Sequence, residues 1–336
     1  MAAVARFAWF VLAYNVAVIL WGAYVRASGS GAGCGNHWPL CNGDIVPRAP
    51  AIATLIELSH RLTSGVALIL VLVLLVATLR TTGRRSTVGS GRHAARVGAW
   101  MALLFMLTEA GVGAGLVLFQ LVADNATMAR ALFMAVHLVN TFILLGWLVL
   151  TAHWLSGGSS VRVSHRPGMS LLFGLGILGL LLASASGAVA ALGDTLYPAA
   201  SLTEGLRADL SSTSHLMIRL RVLHPVITIA VGVALVLIAL RAPLAPGDRR
   251  GRLAARLVVG TTIVQLGAGL INVLLLAPIW MQLLHLLLAD TVWLAFVLLG
   301  ASALAVPQSS RTPAVALSPV EAGGAAATRL RRQSFP

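Results

Sequence analysis

Apolar residues in this chain come in long runs, and charged residues are confined almost entirely to the short stretches between them. Eight runs, approximately 7–26, 53–79, 96–121, 129–154, 169–191, 213–241, 253–276 and 279–305, are each long enough to cross a hydrocarbon core of about 30 Å as a helix. The first follows Met1 to Arg6 with no small-residue cleavage site, so it reads as a retained span rather than a signal peptide. Beyond the last run, residues 306–336 are rich in Pro, Ala, Gly and Ser and carry Arg329, Arg331 and Arg332, the composition of a disordered tail.

Composition agrees with the pattern. Of 336 residues 58% are hydrophobic and only 10% charged, against roughly a quarter charged in an ordinary soluble domain. All 24 basic residues are arginine and the formal charge is +14. Such an excess in a soluble chain would suggest nucleic acid. Here the arginines sit in connections between apolar runs, where they set topology and meet anionic headgroups of the lipid bilayer, so nucleic-acid binding is rejected. Arg80, Arg84, Arg85 and Arg92, then Arg162 and Arg166, then Arg241, Arg249, Arg250 and Arg252 follow spans two, four and six. The positive-inside rule therefore makes both termini cytoplasmic and the first loop extracytoplasmic.

The chain repeats itself. Spans two, four, six and eight carry His60, His137, His224 and His285, and Gly-Ala-Gly-Leu recurs at Gly113 and Gly267. Gly22-Ala23 at the end of span one is echoed by Gly187-Ala188 in span five, and Trp38-Pro39 by Tyr197-Pro198. The expected fold is an all-α integral membrane protein of eight transmembrane helices, arranged as two pseudo-symmetric four-helix bundles, residues 1–160 and 161–305. The disordered cytoplasmic tail, 306–336, stands apart.

The first loop contains both cysteines, Cys34 and Cys41, in a glycine-rich stretch. It reads as closed by a disulfide in an oxidising compartment. The competing reading is a metal site of Cys34, His37 and Cys41, which supplies three ligands and exposes its thiols to oxidation.

Counted in from the outer ends of their spans, the four repeated histidines lie at similar depths, roughly 10–17 Å at 1.5 Å per residue. Two imidazoles facing each other across a bundle suit the axial positions of a heme iron. A single intramembrane histidine is more commonly a packing residue or proton relay; four, one in every even-numbered span, are hard to credit to packing. Arg61 beside His60 and Arg221 three residues before His224 are candidate partners for outward-pointing propionates. Lipid-headgroup snorkelling is the alternative for such arginines. Glu57 shares a helical face with His60, one turn away, while Glu109 and Asp290 are further acids within spans.

Several motifs together resemble the heme A synthase family. They are Glu57-Leu-Ser-His60-Arg61, Ala135-Val-His137-Leu, Arg221-Val-Leu-His224-Pro225 and Gln282-Leu-Leu-His285, together with Trp38-Pro39-Leu40-Cys41, the segment Ser186 to Pro198, and Asn272 to Pro278. The resemblance implies a bacterial-type plasma-membrane oxidoreductase that turns the C8 methyl of heme O into the formyl group of heme A. It implies heme b as cofactor between His224 and His285, substrate heme between His60 and His137, a catalytic Glu57, and a Cys34–Cys41 disulfide with a role in activity. Heme O synthase and terminal oxidase assembly factors are the implied partners, and Glu109 matches no motif with a role. A diheme electron-transfer cytochrome and a heme transporter or chaperone are the rival functions.

Overall fold

The computed structural model describes residues 1–83, 91–161 and 166–305. The expected tail, Arg84, Arg85, Arg162 and His165 lie outside the described residues. Ten helices follow one another within them: α1 (Ala2–Ala27), α2 (Ile52–Thr82), α3 (Gly91–Leu118), α4 (Met128–Leu155), α5 (Pro167–Leu196), α6 (Leu202–Leu210), α7 (Leu216–Leu220), α8 (Leu223–Arg241), α9 (Arg249–Leu274) and α10 (Ile279–Ala303). Eight spans are long and apolar enough to cross a membrane, with α7 and α8 together forming the sixth. Their outer faces keep large side chains such as Leu62, Ile69, Leu171 and Leu240 exposed, as expected where lipid rather than water is the solvent.

The sixth span breaks at Arg221 and Val222 because of Pro225. A proline has no N–H to give the carbonyl four residues back, and its ring crowds that carbonyl. The Arg221 carbonyl instead accepts from the His224 N–H at 3.2 Å. The short surface helix α6 was not anticipated from the apolar runs. Its start is marked by Ser201 and Glu204: the Ser201 hydroxyl accepts from the Glu204 N–H at 3.2 Å, and the glutamate reaches back to the Ala200 N–H. That is a capping box in all but one residue of register.

Helix α1 packs against α2 and α4, and α3 against the same two, so α2 and α4 stand diagonally. In the second half α8 packs between α5 and α9, and α10 lies against α9, with lighter contact to α5 and α8. The halves meet where α4 packs on α5 and α10, and α1 on α10. Phe142 stacks on Trp293 there, ring centres 5.5 Å apart. The described residues form one compact unit.

The two ends of the helix stack are each tied together. At one, Arg26 of α1 donates to the Ala191 carbonyl and Thr195 hydroxyl of α5 and to Gln282 of α10. At the other, Trp9 of α1 and Arg250 of α9 both donate to Ser156, just past α4.

Candidate functional site

Each of the four repeated histidines leans on a glycine of a neighbouring odd-numbered span. A Cβ at Gly22 would sit 2.8 Å from the His60 ring, one at Gly187 2.9 Å from His224, and one at Gly269 3.1 Å from His285. At Gly113 it would stand 3.7 Å from His137, an ordinary contact. Three of these rings therefore occupy space that any larger residue would claim. The repeat reads differently in the two halves: the first glycine of Gly113-Ala-Gly-Leu faces a histidine, but in Gly267-Ala-Gly-Leu it is the second, Gly269, that does.

His224 and His285 face each other with ring centres 6.3 Å apart and planes at 83°. The Ser186 hydroxyl lies 3.0 Å from His224 Nδ1, and Gln265 Nε2 lies 3.2 Å from His285 Nε2. Nδ1 of His60, of His137 and of His285 is buried without a hydrogen-bond partner. Buried ring nitrogens without partners are uncommon in a settled core and suit groups awaiting a ligand.

Glu57 is 4% exposed. Its Oε2 accepts from the Cys34 N–H at 2.8 Å, and its Oε1 pairs with Arg61 at 2.5 Å. Arg61 also donates to the His37 and Leu40 carbonyls of the first loop, at 2.7 and 2.6 Å. The carboxylate is thus fixed by one guanidinium and one amide, on the loop side of α2.

That loop is closed by a Cys34–Cys41 disulfide. With both sulfurs bonded to each other, the Cys34, His37 and Cys41 metal site is excluded. Among the described residues no group of three His, Cys, Asp or Glu side chains gathers to hold a metal ion.

In the second half Arg221 precedes His224 by three residues. It pairs with Asp194 at 2.9 Å and with Asp209 at 2.7 Å. Both candidate propionate partners, Arg61 and Arg221, thus already have carboxylate partners within the chain. His215 caps α7 and stacks on Tyr197, and His153 is buried at the end of α4.

Glu109 is a residue whose place the linear motifs missed. Its Oε1 lies 3.3 Å from His137 Nδ1, and it accepts hydrogen bonds from Asn140 and Thr141 of α4. The sequence signal was a carboxylate inside a span, a costly placement that demands partners. Asp290 remains fully buried, and neither oxygen has a hydrogen-bond partner.

Comparison with known proteins adds a family. The model of COX15-CtaA, described as cytochrome oxidase assembly protein, matches residues 5–297. A Thermus thermophilus protein named protoheme IX farnesyltransferase is 52% identical over 301 residues, covering 89% of this chain and 48% of that protein. A heme A synthase of Exiguobacterium sp. is 32% identical over 191 residues, 57% of this chain and 59% of the relative. One from Lysinibacillus sphaericus is 39% identical over 114 residues, 33% of this chain and 35% of that one. The chain thus spans about half the length of the curated relatives it matches most extensively.

Proposed function

We propose a function from one premise: this chain belongs to the COX15-CtaA family of cytochrome oxidase assembly proteins. On our reading it is a heme A synthase of a bacterial-type plasma membrane, which oxidises the C8 methyl of heme O to a formyl group. Both termini are cytoplasmic and the disulfide loop is extracytoplasmic. Residues 1–160 and 161–305 form two related four-helix bundles, the first for substrate and the second for a heme b cofactor.

The observation that carries the reading is the set of four imidazoles, each seated on a glycine of an adjacent span. Two imidazoles bonded to one iron from opposite sides, at about 2 Å per bond, have centres roughly 6 Å apart. His224 and His285 meet that requirement with ring centres 6.3 Å apart. His60 and His137, on diagonal helices and each against a glycine of an odd-numbered span, would hold heme O. Arg61 and Arg221 would meet the propionates while sharing their charge with Glu57, Asp194 and Asp209.

Heme b, when bound, supplies one-electron transfer. What the chain's own residues do is orient and polarise. Glu57, buried and held by Arg61 and the Cys34 amide, is a fixed negative charge one helical turn from His60. It stabilises positive charge developing on the carbon being oxidised, or accepts a proton from it. Its anchoring to the loop excludes free rotation of the carboxylate and ties the disulfide to the site.

The Thermus relative's name describes farnesyl transfer, and that protein is about twice as long as the matched region. On this reading heme O is supplied by a heme O synthase and the product passes to terminal oxidase assembly factors.

The test is acid-acetone extraction and chromatography of hemes from cells that make heme O, with and without this protein. Heme A is expected only when it is present. Heme O left unchanged by the intact protein would overturn the reading in favour of a diheme electron carrier.

A further inference from the structure

Matched by their histidine contacts, the two halves place Glu109 and Gln265 at the same position. Glu109 lies four residues before Gly113, which faces His137; Gln265 lies four residues before Gly269, which faces His285. Each also approaches its histidine, but at opposite ring nitrogens: Glu109 Oε1 is 3.3 Å from His137 Nδ1, whereas Gln265 Nε2 is 3.2 Å from His285 Nε2. The first half has a carboxylate where the second has a neutral amide.

The carboxylate is held firmly. Asn140 Nδ2 donates to its Oε2 at 2.6 Å, and the Thr141 hydroxyl donates to its Oε1. Asn140 is itself fixed, donating to the Phe105 carbonyl at 2.9 Å and accepting from the Thr108 hydroxyl at 2.7 Å. A glutamine could accept from Asn140 with its oxygen and donate its amide to the Thr141 hydroxyl, which keeps its own proton on the His137 carbonyl. Packing and hydrogen bonding therefore do not require the charge, which is expensive inside a span. His137 Nδ1 has no other partner, and the Glu109 carboxylate oxygen is the polar atom 3.3 Å from it.

We propose that Glu109 is a positioning residue for His137, holding the ring through Nδ1 and putting a negative charge behind the ligand of the substrate heme. This rests on the reading that each histidine pair holds a heme. A carboxylate behind a ligating imidazole fixes its orientation and raises its basicity. A more basic axial ligand favours the oxidised iron, so the heme in the first half has a lower reduction potential than a neutral partner would give it. Gln265 leaves the cofactor in the second half without that bias. The asymmetry separates two sites that otherwise use the same ligands.

The experiment is a spectroelectrochemical redox titration of the full-length protein in detergent, loaded with heme O. His137→Ala and His285→Ala assign the two couples by removing one each. Glu109→Gln is expected to raise the midpoint of the first-half couple by about 59 mV, a tenfold change in a one-electron equilibrium, while the second stays fixed. Unmoved midpoints in Glu109→Gln overturn the inference while leaving the two-heme reading in place. A His137→Ala protein that keeps both couples overturns that reading itself. Should Glu109→Gln fail to fold, Glu109→Asp decides: the shorter carboxylate is drawn back from His137 Nδ1 and should raise the same midpoint by a smaller amount, and an unmoved midpoint overturns the inference.

Discussion

The surroundings of the two histidine pairs are built with opposite charge. Beside His60 the central group is an anion, Glu57, enclosed by one guanidinium and one backbone amide. Near His224 it is a cation, Arg221, enclosed by two carboxylates. Both arrangements neutralise a charge that a membrane interior penalises, but they leave different chemistry. A carboxylate with fixed donors can stabilise a developing positive charge or take a proton; a guanidinium between two acids can do neither. Under the proposed function, the first half would change a bound molecule and the second would keep one.

The largest expected effect breaks this comparison directly. Glu57→Ala should lower heme A formation by about 10²–10⁴-fold, the range general acid–base groups supply, while both histidine pairs still retain heme. Asp194→Asn or Asp209→Asn, made in the second half, should change the rate by only a few-fold, because each leaves Arg221 one carboxylate. Heme extraction measures the first quantity and the absorption spectrum of the purified protein the second. A Glu57→Ala protein working at the normal rate would remove the contrast.

The seating of the rings offers a second test. An added methyl at Gly22 or Gly187 falls within 2.9 Å of an imidazole, whereas one at Gly113 is 3.7 Å away. Overpacking costs about 1–3 kcal/mol, which is roughly a ten- to hundredfold loss of affinity. Gly22→Ala should thus weaken heme retention in the first half, and Gly187→Ala in the second. Gly113→Ala should leave both unchanged. Heme content per protein after purification distinguishes the three.

The eight spans, the four histidines and Glu57 were legible along the chain because each depends on local pattern: run length, depth within a run, or spacing on one helix. Contacts between helices were not. Glu109 is 28 residues from the nearest of the four histidines in sequence, and its partners Asn140 and Thr141 come from α4. The repeat at Gly267 suggested one register, yet Gly269 is the glycine that meets His285, because similarity along the chain does not fix how a helix is rotated against its neighbour. Arg61 illustrates the same limit. Its place beside His60 suggested a propionate, but a long side chain reaches back one turn to Glu57 and up to the loop. Helix α6 did leave a local sign, the Ser201 and Glu204 pair, in a segment too polar for a search by apolar runs.

Arg61 supports a smaller prediction. Its planar fork contacts Glu57 and two loop carbonyls at once, a geometry that a lysine ammonium on a flexible stem cannot reproduce. Arg61→Lys should keep the charge beside Glu57 but loosen the loop, lowering heme A formation by roughly tenfold. An unchanged rate in the extraction assay would mean that charge alone positions Glu57.

The smallest expected effect concerns what joins the halves. Arg26, four residues after Gly22, donates to the Ala191 carbonyl four residues after Gly187, to Thr195, and to Gln282 three residues before His285. One guanidinium therefore links the helices that seat His60 and His224 to the helix that carries His285. Arg26→Gln removes most of these bonds without touching a histidine or its glycine. Charged hydrogen bonds contribute about 1.5–3 kcal/mol each when buried partners are lost, so the melting temperature in detergent should fall by roughly 5 °C. The apolar contacts of α4 with α5 and α10 remain, including Phe142 on Trp293. Loss of the two heme signals should accordingly stay a single transition. If the signals instead separate in temperature, the halves are independent folding units held together at Arg26, and the charge contrast between them would belong to two modules rather than to one site divided in two.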